Sequence, residues 1–217
     1  MQLFLVASLP LFFSLVIMLP WGRSGVPATL TLVITHMKGV LLFFPGYLVI
    51  LLLRRIAGFS YDGFLLYLSL FLRDHFAPLL TAVGAFLLLQ RTLSFSGTDE
   101  GIFLTVFAFL CGFLAMVNLT DFVREWHTWT TYELFLLPVL RLSTVLGVSL
   151  AAPRWFRWEG RDAALFAASA AALSAVLAVS SFLDRSSRPW LGGAAAFVFV
   201  AAGVLVFALR FPRSVRG

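Results

Sequence analysis

The chain has 217 residues, of which 61% are hydrophobic and only 12% are Asp, Glu, Lys or Arg, against about 25% charged residues in ordinary soluble domains. With a mean hydropathy of +0.98, it carries more apolar surface than a soluble fold can hide. The net charge of +6 would suggest nucleic acid in a soluble protein. No basic run is interleaved with exposed aromatics here, so no nucleic-acid partner is expected.

Several segments reach the ~20 apolar residues that cross ~30 Å of hydrocarbon as a helix. They are continuous rather than alternating, which excludes barrel strands, and within lipid the backbone is then satisfied only as helix. The expected fold is all-α: a polytopic helical membrane protein with seven or eight transmembrane helices. It forms a single transmembrane domain over 1–217, with the lipid bilayer as its first partner.

In chain order, the first apolar segment covers about 2–20. It lacks a basic n-region and no A-x-A site follows it, so it reads as a retained span rather than a signal peptide. The second, 28–53, holds His36, Lys38 and Pro45-Gly46. The third, 56–90, is too long for a simple span. It carries Asp62 and is interrupted by Arg73-Asp74-His75, with Pro78 just beyond. It is either one tilted helix with an interfacial lead or two short spans, 56–72 and 76–90, turning at Arg-Asp-His. Four more follow at 101–120, 134–152, 163–183 and 191–209. The last two are rich in Ala, Ser and Gly, which lets helices approach closely in lipid and predicts a tightly packed hairpin. Tryptophans 21, 126, 129, 155, 158 and 190 lie at expected span ends, as interfacial anchors do.

Loop arginines set the orientation, because cytoplasmic loops carry the excess. With seven spans, positions 23, 91, 154, 157, 161, 210, 213 and 216 oppose 54, 55, 124, 185 and 188, eight against five. With eight spans, Arg54 and Arg55 join the major side while Arg23 and Arg73 fall on the other, nine against five. Both place Arg91, the 153–162 loop and the C-terminus in the cytoplasm, with 121–133 and 184–190 outside. The larger contrast slightly favours eight spans.

The candidate site residues fall in three groups: His36 and Lys38; Arg73, Asp74 and His75; and Asp121, Glu125 and His127. Arg141, one span later, joins them. Lys38 is the sole lysine among the 16 basic residues, and a cation at membrane depth usually faces a protein interior or a water-filled path. Snorkelling toward the headgroups is its plainer role. Two residues along a helix is a rotation of about 200°, so His36 and Lys38 do not form a dyad. With eight spans all groups gather toward the outer face, Lys38 and Arg141 at similar depth; with seven, loop 121–133 and the start of the His36 span lie on opposite faces. Arg141 either holds helices together through Asn118 or a carboxylate, or binds an anion. The 121–133 loop also suits an interfacial segment, with Asp121 and Glu133 marking span ends.

Metal chemistry would call on His75 and His127 with Asp74, Asp121 or Glu125, but no metal-ligand spacing is present, so no metal is assigned. Haem ligation would need paired histidines within spans, and only His36 sits firmly in one. Phe95-Ser96-Gly97 lacks a nearby histidine, so no catalytic residue is assigned and the cofactor is unknown. The single cysteine, Cys111, reads as a packed small hydrophobe. The expected function is an inner-membrane protein in transport, a small permease or the membrane subunit of a transport complex handling a polar or anionic substrate. ATP-driven work would need a partner subunit, since no nucleotide-binding motif occurs. The alternatives are an enzyme acting on lipid-linked substrates at the outer leaflet, and a structural or assembly subunit with partner membrane or cytoplasmic subunits.

Overall fold

The computed structural model describes residues 29–58, 63–93, 98–125, 131–155, 162–186 and 188–210. The expected span at 2–20 lies outside them. The described residues are helical, without strands. Helix α1 covers Thr29–Ala57. Helix α2 (Gly63–Leu70), a π-helical segment (Phe71–Phe76), α3 (Ala77–Leu89) and a 3-10 turn (Gln90–Thr92) form one uninterrupted run. Helices α4 (Asp99–Glu125), α5 (Thr131–Trp155), α6 (Asp162–Arg185) and α7 (Pro189–Arg210) follow. Among the described residues, four helical stretches are long and apolar enough to cross a membrane: Leu30–Ala57, Gly63–Thr92, Asp99–Arg124 and Ala168–Arg185.

Local chemistry sets several of the ends. Helix α1 stops at Gly58, whose φ of +63° is the left-handed cap that glycine adopts without strain. Arg54 and Arg55 in its last turn complement the helix dipole. Helix α4 begins where the Thr98 hydroxyl accepts from the Gly101 N–H at 3.1 Å, with Asp99 and Glu100 in the first turn. Pro45, Pro138 and Pro153 lie inside helices that continue past them.

Helix α4 is the centre of the bundle. In its most apolar window 83% of the residues are buried, against 17% in α1. Phe103, Phe107, Phe109 and Phe113 are fully enclosed. Helices α1 and α4 run in parallel and cross closely at two glycines. A Cβ on Gly39 would strike the Phe109 carbonyl, and one on Gly112 would strike the His36 carbonyl. The α6–α7 hairpin is tight in the same way: Ser180 Oγ donates to the Gly192 carbonyl at 2.7 Å. A Cβ on Gly192 would meet the Ser180 carbonyl oxygen at 2.8 Å.

The stretch 56–90 resolves differently from the eight-span expectation. Arg73-Asp74-His75 is not a turn between two spans; it sits inside the continuous helical run 63–92, as part of its π-helical segment. Pro78 explains the irregularity. It has no N–H to offer the Asp74 carbonyl four residues earlier. The Ala77 N–H instead reaches back five residues to the Leu72 carbonyl. The carbonyls of Arg73 and Asp74 are thereby left without their usual helical donors, and side chains of other helices reach them.

Candidate functional site

Those donors are arginines. Arg54 Nε of α1 donates to the Arg73 carbonyl at 3.1 Å, and Arg141 Nη2 of α5 donates to the Asp74 carbonyl at 3.1 Å. The same two guanidinium groups converge on one carboxylate, Asp121 of α4. Arg54 Nη1 meets Oδ1 at 2.6 Å and Nη2 meets Oδ2 at 2.8 Å, a bidentate fork. Arg141 Nη2 takes Oδ2 at 2.8 Å, while its Nη1 donates to Asn118 Oδ1 at 2.6 Å. Asn118 and Asp121 are three residues apart and share one face of α4. The cluster is enclosed: Arg54 is 8% exposed, Asp121 5% and Arg141 3%.

His75 joins the rim of this cluster. Its Nε2 lies 2.8 Å from Ser181 Oγ of α6, and the residue is 4% exposed. Its Nδ1 is buried without a hydrogen-bond partner, as is Arg141 Nε. Asp74 lies within electrostatic reach of Arg54, Arg141, Arg73 and Asp121. One turn of π-helix, α1, α4, α5 and α6 thus meet around the buried Arg54, Asp121 and Arg141, with the half-buried Arg73 and Asp74 alongside. Burying such charges is costly unless each is paired and hydrogen-bonded, and here Asp121 and the two carbonyls freed by Pro78 supply the acceptors.

Of the residues singled out from sequence, Arg73, Asp74, His75, Asp121 and Arg141 come together. His36 and Lys38 do not. The Lys38 ammonium donates to the Thr92 carbonyl at 3.0 Å, in an exposed position at the opposite end of the bundle. Sixteen residues separate it from Arg54, about 24 Å along α1. The expected similar depth of Lys38 and Arg141 is thus corrected, because α1 starts at the end where Arg91 lies and α5 starts at the other. Lys38 anchors one rim of an apolar slab, and the arginine cluster lies near the other. His36 is buried at the α1–α4 crossing, where its carbonyl faces Gly112. Glu125 closes α4, and His127 lies outside the described residues. Asp121 does not mark a solvated span end; it is the shared anion of the cluster. Cys111 is buried within α4. No group of three His, Cys, Asp or Glu that could hold a metal occurs among the described residues.

Sequence reasoning missed Arg54 and Ser181. Arg54 was counted with Arg55 as a loop cation, yet only Arg55 is exposed. A signal was present: His36, Gly39, Phe43, Gly46 and Ile50 recur at helical spacing, all buried, and position 54 continues that stripe. Ser181 has no comparable signal in a segment where serine and alanine alternate freely.

No protein-family model matches this chain, and no curated protein or solved structure matches it either.

Proposed function

We propose that this chain is a multi-pass inner-membrane protein, one transmembrane domain with its C-terminus in the cytoplasm. In this reading it acts in transport of a polar or anionic solute, as a small permease or as the membrane subunit of a transport complex. The observation that supports it is the Arg54–Asp121–Arg141 cluster, ionic groups buried on three helices next to a π-helical turn. Ionisable residues enclosed within a membrane bundle pair with one another or with backbone carbonyls and mark substrate and ion pathways, and π-helical turns recur at functional positions. The bonding is also unequal. Asp121 grips Arg54 by two bonds and Arg141 by one. Arg141 is therefore the group for which an incoming anion competes at least cost.

The orientation agrees with arginine placement. Arg91 and Arg154 lie at the end opposite Arg55, Arg124 and Arg188, and the richest basic segments of the sequence adjoin the former pair. An enzyme acting on lipid-linked substrates is less well supported, since His75 is enclosed and bonded to Ser181. The test is flux into proteoliposomes of the full chain, using labelled chloride, phosphate and acetate in turn. Flux above protein-free vesicles, reduced at least tenfold by Arg141→Gln, supports the reading. Vesicles that match protein-free controls for all three solutes defeat the permease form. Co-purification of a stable partner with which flux appears would leave the subunit form.

A further inference from the structure

Two cations meet at the end of the bundle away from the arginine cluster. The run 63–92 finishes in a 3-10 turn, and the Lys38 ammonium of α1 donates to the Thr92 carbonyl there at 3.0 Å. That bond uses one of three donors on the ammonium, and its acceptor is neutral. Arg91, the residue before Thr92, is exposed. Among the described residues neither cation forms an ion pair with a carboxylate.

Their surroundings are apolar and open to lipid. Leu41, three residues after Lys38, is 63% exposed, and Leu88, three residues before Arg91, is 85% exposed. A spacing of three places each leucine on the face of its own cation. Because α1 and α3 run in opposite directions, both leucines lie toward the middle of the bundle from that cation. Beyond Lys38 the face of α1 is apolar again, at the exposed Ile34 and Leu30. The ammonium thus lies within the lipid-facing surface, where a cation without a counter-charge is costly.

The seam between α1 and α3 has room beneath these charges. It is closed at one end by the Lys38–Thr92 bond. At the other, a Cβ on Gly46 would lie 3.2 Å from Thr81 Cγ2. Gly84 falls between these contacts, two turns before Arg91 on the same face, and a Cβ there would meet no atom within 4 Å.

We propose that Lys38 and Arg91 bind the phosphate of an anionic phospholipid, with an acyl chain lying along the seam past Leu41, Leu88 and Gly84. A free phosphate satisfies the cations but has nothing to place on the leucines. A zwitterionic lipid brings its own ammonium against them. The site is independent of the transport reading, since it shares no residue with the Arg54–Asp121–Arg141 cluster.

The experiment uses the purified full chain in detergent, supplemented with phosphatidylglycerol or phosphatidylcholine of matched acyl chains. Native mass spectrometry counts retained lipid, and the unfolding temperature rises with the logarithm of ligand concentration above Kd. The expected result is saturable retention and stabilisation by phosphatidylglycerol that phosphatidylcholine lacks. Lys38→Gln combined with Arg91→Gln weakens binding about tenfold or more, as the loss of two cations facing an anionic lipid requires. Gly84→Leu, which fills the seam, weakens it while leaving the helical circular dichroism unchanged. Arg55→Gln, an exposed cation at the other end of α1, leaves binding as it was. Equal retention of both lipids, parental affinity in the double variant or in Gly84→Leu, or equal weakening by Arg55→Gln would overturn the site. Stabilisation by inorganic phosphate or glycerol phosphate that matches phosphatidylglycerol would make it a free-phosphate site and overturn the lipid assignment.

Discussion

Replacing Asp121 with Asn removes the carboxylate that Arg54 and Arg141 share and changes almost nothing in volume. Three bonds of 2.6–2.8 Å end on that carboxylate. The amide retains one acceptor oxygen and turns an N–H pair toward a guanidinium that can only donate. Arg54 keeps the Arg73 carbonyl, and Arg141 keeps Asn118 and the Asp74 carbonyl, so neither cation is stripped of every partner. Removing one member of a buried ion pair costs about 3–5 kcal/mol. Here two cations lose the same anion and both retain carbonyls, so the expected cost of Asp121→Asn lies in that range. It corresponds to a fall of roughly two to three and a half orders of magnitude in the folding equilibrium constant. The assay is reversible unfolding in mixed detergent micelles, followed by circular dichroism. Arg54→Gln and the double variant complete a cycle, in which the double variant is less destabilised than the sum of the singles by about 1–3 kcal/mol. A loss below about 1 kcal/mol for Asp121→Asn, together with additive singles, would refute the shared-carboxylate argument.

Other outcomes follow from the same structure. Gly39→Ala and Gly112→Ala drive a methyl group into the facing backbone and are expected to cost about 1–3 kcal/mol each in the same unfolding assay. Gly84→Ala meets nothing within 4 Å and should be neutral or gain up to about 1 kcal/mol from helix propensity. Lys38→Met loses an exposed bond to the Thr92 carbonyl; it should change stability by less than about 1.5 kcal/mol and leave any flux intact, so abolished flux would return Lys38 to the pathway. Because Cys111 is buried, introduced cysteines can be read against a silent background with a membrane-impermeant maleimide. Arg91→Cys and Arg154→Cys should label from the cytoplasmic side, and Arg124→Cys and Arg188→Cys from the other; labelling of positions 91 and 124 from one side would overturn the helix directions. Pro78→Ala restores an N–H for the Asp74 carbonyl and competes with Arg141 for it, so it should couple to Arg141→Gln by about 1 kcal/mol in a stability cycle.

Length and apolarity are local properties, and they were enough to determine that this chain is helical and suited to a membrane. A run such as 101–117 has nowhere else to place its backbone polar groups than in its own helix once it leaves water. The ionisable residues worth attention were also legible, since Arg73, Asp74, His75, Asp121 and Arg141 interrupt apolar surroundings and so stand out one by one. Their partnerships were not. Arg54 and Arg55 are identical side chains one position apart, but that step is a rotation of about 100° about the helix axis. It puts one guanidinium on the α4 face and the other outside. Which end of the bundle a residue reaches depends on helix direction, and that hinged on whether 63–92 runs through or turns at Arg73. Once it runs through, α1 and α4 lie parallel, Lys38 is carried to one rim, and Arg54 meets Asp121, 67 residues away in sequence, at the other. Rotation and direction are set by close packing at Gly39 and Gly112 and by the donor missing at Pro78, contacts that come into being only when the helices meet.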